Sequence, residues 1–115
     1  MNRMTEPVDA TQMTVEAILQ YFDGVYRTAT IMEPKSRKDF YCGITNDIAG
    51  NLTRHHIDGY TLCVQCASFA ISSEVEARLG AIGFDIGNAN NPAGNGGVNN
   101  STIVYMAYKE PGFQR

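Results

Sequence analysis

The sequence predicts one α+β domain with a small, mainly antiparallel sheet that is flanked by helices. Its 115 residues match the size of a single domain, and a hydrophobic content of 43% is enough for one core. Segments with apolar residues at helical spacing alternate with short β-branched runs that are typical of strands. In chain order these segments give a helix, a β-hairpin, a helix, a strand, a helix and a final strand.

Composition and charge exclude several classes of protein. The apolar runs are far shorter than the ~20 residues of a membrane-spanning helix, and the first residues lack the apolar stretch of a signal peptide. A net charge of −3 and a pI near 5.2 mean that any contact with nucleic acid has to come from a local basic patch. Three cysteines are an odd number, which argues against a disulfide framework and favours a reducing, cytoplasmic setting.

The first part of the chain is predicted to form a loose arm and a short helix. Residues 1–12 are polar and show no clear period. Thr14 is suited to cap a helix from Val15 to about Phe22, because apolar residues recur there at i, i+3, i+4 and i+7. The Asp-Gly pair at 23–24 is a typical helix breaker and predicts an end there, but Tyr26 continues the apolar stripe beyond it, which leaves the end of the helix open.

A β-hairpin is predicted next. Thr28–Met32 is partly β-branched and favours a strand, and Asp39–Thr45 is expected to return beside it. The polar residues between them place the turn near Lys35 and Ser36. A first pair of strands is therefore expected before the second helix.

The middle of the chain is predicted to contain a helix and the strongest strand. Asn46 or Asp47 can cap a helix whose apolar and aromatic side chains include Leu52 and His55. Residues 60–67 are rich in aromatic and β-branched side chains, which suits a central strand.

The third helix is expected to begin at Ser72 or Ser73. Ser73 and Glu76 have the spacing of a capping box, and Gly83 lies where a glycine commonly ends a helix.

The last part of the chain is predicted to be a long loop and a strand. Residues 87–101 are a Gly/Asn tract that cannot build a core. Thr102–Tyr108 is expected to add antiparallel to one side of the sheet. An uncovered edge on this strand would allow two copies to pair, so a homodimer is one expected assembly.

The strand before the second helix carries the most distinctive pattern. Seven positions follow a Tyr-x-Gly-x-Thr-Asn pattern with a later Leu and His: Tyr41, Gly43, Thr45, Asn46, Ile48, Leu52 and His55. The pattern resembles the second half of the GIY-YIG nuclease motif. The resemblance covers roughly residues 28–79, and the predicted hairpin, helix, strand and helix follow the order of that fold. The Gly-rich tract before the Val-Tyr-x-x-Tyr strand at 104–108 is similar to one in phage and mobile-element proteins of the family.

The resemblance implies metal-dependent cleavage of DNA phosphodiester bonds. It implies that Tyr41 positions the attacking water, that Arg54 meets the phosphate and that His55 assists as a nearby base or orienter. Glu76 matches the family's ligand to a divalent cation such as Mg²⁺. Tyr26, in Gly-Val-Tyr, has the letters of the family's first tyrosine.

Two departures keep a second interpretation open. Fourteen residues separate Tyr26 from Tyr41, more than the family's usual spacing, and Asn51 occupies the position in register with the family's arginine. Arg54 lies one turn further along the helix. The alternative is a catalytically degenerate module, such as a phage or mobile-element regulator or inhibitor, that binds DNA or a protein partner.

Two smaller features have their own interpretations. Lys35, Arg37 and Lys38 form a local basic patch at the predicted turn, which would contact DNA phosphates or simply be a solvated turn. Cys63 and Cys66 have C-x2-C spacing, but residues three apart in a strand point to opposite faces, which argues against zinc.

Overall fold

The described part of the chain forms three helices and a mixed, mainly antiparallel sheet, as the sequence predicts. The computed structural model describes residues 3–4, 7–57, 59–86 and 101–114. In chain order the elements are β1 (Arg3–Met4), β2 (Val8–Asp9), α1 (Val15–Ala29), a 3-10 turn (Arg37–Asp39), β3 (Phe40–Thr45), α2 (Ile48–Arg54), β4 (Tyr60–Gln65), α3 (Phe69–Ala81) and β5 (Ile103–Tyr108). No helix in these ranges is long and apolar enough to cross a membrane.

The final strand lies in the middle of the sheet and not at its edge. The strand order is β1-β4-β5-β3, and β2 also pairs with β4. β5 runs antiparallel to both β4 and β3, whereas β1 and β2 run parallel to β4. Because both edges of β5 are occupied, the expectation that this strand pairs two copies is wrong.

The two faces of the sheet are covered by different helices. One core joins α1 and α3 to alternate strand residues such as Cys42, Val64 and Val104. The other joins α2 to the intervening residues, among them Tyr41 and Tyr105. This alternation follows from the two-residue period of a strand, and it decides which predicted site residues meet.

The first helix is longer than predicted, and the predicted hairpin does not form. Asp23 stays helical because its carboxylate accepts a hydrogen bond from Arg27 at 2.7 Å, one turn later. The ring of Tyr26 packs edge-on against Phe40 and Phe84, with centroids 5.4 and 5.5 Å away, and this packing extends the helix to Ala29. The strand predicted at 28–32 is therefore wrong, and β3 pairs with β5 instead.

The N-terminal arm pairs with β4 through both of its short strands, β1 and β2. Val8 pairs with Val64 on β4, and the N–H group of Ala10 donates to the carbonyl of Gln65 at 2.9 Å. Strands of two residues carry no detectable period, so the prediction of a loose arm over residues 1–12 missed them.

The third helix begins earlier than predicted. The hydroxyl of Ser68 accepts a hydrogen bond from the N–H of Ile71 at 3.2 Å and caps the helix. Ser73 and Glu76 consequently lie inside α3, and the predicted capping box is wrong. The predicted end is confirmed, since Gly83 has a φ of +118° and the next N–H donates to Leu79.

The remaining elements begin within one residue of their predicted positions, whereas α2 ends at Arg54, before the Asp-Gly pair at 58–59 that was predicted to end it. Asp47 caps α2 by accepting from the N–H of Gly50 at 3.1 Å. Residues 87–100 of the predicted Gly/Asn loop lie outside the described ranges.

Candidate active site

Tyr41 is the centre of an aromatic cluster on the α2 face. Its ring centroid lies 5.0 Å from that of His55, 5.0 Å from that of Phe113 and 6.2 Å from that of Tyr105. Only 2% of Tyr41 is exposed. The structure thus brings together two residues of the predicted site, Tyr41 and His55, and adds two that were not predicted.

Tyr105 packs beside Tyr41 and comes from the middle strand, β5. β5 brings it opposite Gly43, where a Cβ atom would lie 2.6 Å from the Tyr105 hydroxyl oxygen, so only glycine leaves room for the ring. The Tyr105 hydroxyl donates a hydrogen bond to the side-chain oxygen of Asn51. The Val-Tyr-x-x-Tyr pattern contains Tyr105. Because the sequence predicts this strand at the edge of the sheet, it does not predict that Tyr105 lies beside Tyr41.

Tyr26 lies on the other face of the sheet. Its hydroxyl donates to the carbonyl oxygen of Lys35 at 2.6 Å, and its ring belongs to the core of α1 and α3. Its assignment as the first tyrosine of the site does not fit this placement.

His55 is held as a neutral imidazole at the end of α2. Its Nδ1 atom lies 2.7 Å from the carbonyl oxygen of Gln114, which can only accept, so Nδ1 carries the proton in the neutral ring. Burial lowers the pKa of His55, and the charge of Arg54 lowers it further, although the contact with Gln114 opposes this. Nε2 is then a hydrogen-bond acceptor.

Two polar atoms of this cluster are buried without a hydrogen-bond partner in the described part of the chain. They are His55 Nε2 and Asn51 Nδ2. His55 and Asn51 are four residues apart and so lie on the same side of α2. An acceptor and a donor are therefore both unsatisfied beneath this helix, which is uncommon in native structures.

The C-terminal segment covers this cluster. Phe113 stacks on His55 with an interplanar angle of 11° and a centroid distance of 5.7 Å. The N–H of Gln114 donates to the carbonyl of His55 at 2.8 Å. The aromatic cluster is thus closed by a short segment that two hydrogen bonds and one stacked ring hold in place.

Glu76 approaches from the opposite side of β3. It is buried on α3, and its charge adds to the effect of burial in raising the pKa of the Cys42 thiol. Burial, followed by the charges of Tyr41 and Glu76, also raises the pKa of Tyr105 far above its usual range. Tyr41 and Glu76 therefore come from elements on different faces of the sheet.

Arg54 is exposed in the last turn of α2. Its positive charge favours the ionised form of Tyr105 and disfavours the protonated form of His55. The guanidinium is open to solvent, on the residue that precedes His55 in the chain.

Two of the three residues in the predicted basic patch are engaged in ion pairs. Arg37 binds Asp23 at 2.7 Å and lies over the ring of Tyr26, and Lys35 binds Glu33 at 2.6 Å. Lys38 is exposed. Internal carboxylates therefore offset much of the charge expected to meet DNA.

Among the described residues, a site for a hard cation would have a single protein carboxylate as its ligand. They contain no group of three or more His, Cys, Asp or Glu side chains that could hold a metal. Mg²⁺ commonly uses one or two carboxylates and completes its shell with water and phosphate, so Glu76 alone is compatible with it. Cys63 and Cys66 belong to opposite cores, and burial raises both thiol pKa values to about 11, which does not suit zinc.

Comparison of the chain with protein-family models, with curated proteins and with solved structures finds no match.

Proposed function

We propose that this chain is a GIY-YIG-like domain that cleaves DNA phosphodiester bonds with the help of Mg²⁺. The observation that carries the proposal is the grouping around Tyr105. The ring of Tyr41 packs beside it, and its hydroxyl donates a hydrogen bond to the side-chain oxygen of Asn51. Tyr41, Asn51 and Tyr105 thus meet on the α2 face of the sheet, whereas Glu76 comes from α3 on the other face.

The protonation states of Tyr105 and His55 support a different role for each residue in the proposed cleavage. Tyr105 is protonated at neutral pH, as tyrosine ordinarily is, and its hydroxyl donates to Asn51, so it is a hydrogen-bond donor and not a base. Neutral His55 offers Nε2 as an acceptor that can orient a water or take its proton. Exposed Arg54 can meet the scissile phosphate through its guanidinium.

Glu76 is the proposed cation ligand. A bound Mg²⁺ would supply charge stabilisation at the phosphate oxygens. Glu76 is the buried carboxylate of α3, and it is the residue that the resemblance matches to the family's cation ligand.

A binding module without catalysis is the second candidate. Asn51 stands where the family pattern has its arginine, and its side chain is already bonded to Tyr105. In this case the domain recognises DNA or a protein partner and leaves the phosphodiester bond intact.

A plasmid-nicking experiment separates the two candidates. We expect the chain to nick supercoiled DNA with Mg²⁺ and to lose this activity with EDTA. Glu76→Gln is expected to abolish cleavage, and Glu74→Gln, which changes an exposed carboxylate on the same helix, is the matched control. Cleavage that survives Glu76→Gln contradicts the cation role. DNA binding by fluorescence anisotropy without any cleavage favours the binding module.

A further inference from the structure

A groove on the α1 face has no role in the proposed cleavage. Its volume is about 310 Å³, and it lies between the end of α1 and the sheet. Six side chains give it an apolar lining: Val25, Ala29, Phe40, Leu62, Met106 and Tyr108. Its size is at the lower end for binding pockets, and its lining is that of an exposed piece of core.

An apolar protrusion adjoins this groove. Ile31 is 72% exposed and Met32 is 92% exposed. They lie in the short segment between Ala29 and Lys35, both of which line the groove. A recess and a protrusion of matching apolar character are therefore parts of one surface patch.

The charges around the groove also have both signs. Lys35 and Glu110 line it, and the ammonium group of Lys35 lies 4.7 Å from the centre of the Tyr108 ring. A surface that pairs with itself across a two-fold axis needs a recess opposite a protrusion and a cation opposite an anion. This patch contains all four.

We propose that the patch is a homodimer interface in which Ile31 and Met32 of each copy enter the groove of the other. The two-fold arrangement removes four large exposed apolar side chains from water. It brings Glu110 of one copy towards Lys35 of the other, which also pairs with Glu33 of its own chain. The inference is independent of the proposed cleavage, because the groove lies on the face of the sheet opposite the Tyr41 cluster.

Sedimentation equilibrium of the full chain at several concentrations tests the proposal. We expect a reversible dimer whose dissociation constant rises at least tenfold in Met32→Asp. Ile82→Asp is the matched control, since Ile82 is also an exposed apolar residue, at 45%, but lies at the end of α3 outside the groove. A chain that stays monomeric at millimolar concentration overturns the proposal, and so does an equal effect of both variants.

The position of the contact needs its own measurement. Met106 lies inside the groove and is almost fully buried, so its ¹³C-labelled methyl group reports on what enters there. We expect its chemical shift to change on dilution of the wild-type chain and to stay constant in Met32→Asp. A dimer whose formation leaves the Met106 signal unchanged uses another surface and contradicts the proposal. Far-ultraviolet circular dichroism checks that both variants remain folded.

Discussion

The hydroxyl of Tyr105 donates a hydrogen bond to the side-chain oxygen of Asn51, and this bond links the middle strand to α2. Both residues are fully buried. The bond provides polar pairing inside an otherwise apolar and aromatic cluster, where an unpaired polar group is costly. The acceptor, Asn51, is also the residue at the position where the GIY-YIG motif has its arginine.

Tyr105→Phe is expected to destabilise the fold. The change keeps the ring but leaves the Asn51 amide with neither its oxygen nor its nitrogen bonded, and a buried unpaired polar group costs about 1–3 kcal/mol. Urea unfolding followed by circular dichroism measures the loss. Tyr108→Phe, on the same strand but 37% exposed, should change the free energy of unfolding by less than about 0.5 kcal/mol. Equal values for the two variants contradict the role of the Asn51 bond.

Gly43→Ala and Gly24→Ala are expected to act in opposite directions. The added methyl group at Gly43 would meet the Tyr105 hydroxyl at 2.6 Å in a packed site, and overpacking of this kind costs about 1–3 kcal/mol. At Gly24 nothing lies within 4 Å of the added carbon. Alanine there favours the helix by roughly 0.5–1 kcal/mol. Thermal unfolding of both variants checks the signs, and a stable Gly43→Ala protein argues against the close packing of Tyr105.

Stability is expected to fall as the pH drops below about 6.5. Burial lowers the pKa of folded His55 below its usual value of 6.5, so the unfolded chain takes up the proton first. The contribution of His55 to the free energy of unfolding is complete when the pH is above the pKa of His55 in the unfolded chain. It is lost as the pH falls towards the lower pKa of His55 in the folded chain. Urea midpoints between pH 5.5 and 7.5 measure it. His55→Gln should flatten the dependence, whereas a change at exposed His56 should not, and an unaltered slope in His55→Gln excludes this origin.

Phe113→Ala is expected to expose His55 and Tyr41 to water. Loss of the stacked ring removes part of the desolvation that holds the pKa of His55 down, so this pKa should rise towards 6.5. A nuclear magnetic resonance titration of the imidazole signals measures the change. Tyr21→Ala, which removes an exposed aromatic ring from α1, should leave the titration of His55 unaltered. A pKa of His55 that does not move in Phe113→Ala contradicts the covering role of the C-terminal segment.

Part of the candidate site can be predicted from residues that are close together in the sequence. Tyr41 and His55 belong to one motif, since a strand that runs directly into a helix fixes their separation and orientation. Tyr105 joins them from a distant part of the chain, and Glu76 approaches through α3 from the other face. No local pattern specifies such approaches, because they depend on which strands pair and on which face each helix packs.

The sequence by itself determined the fold class and the local signals that begin and end elements, among them Thr14, Asp47 and Gly83. These signals act through hydrogen bonds and backbone conformations within a few residues, so a short segment contains them completely. Only the tertiary structure decided that α1 continues past Gly24 and that β5 lies between β3 and β4. Both outcomes depend on contacts between distant residues, such as Tyr26 with Phe40 and Phe84, whose packing outweighs the local preference for a turn.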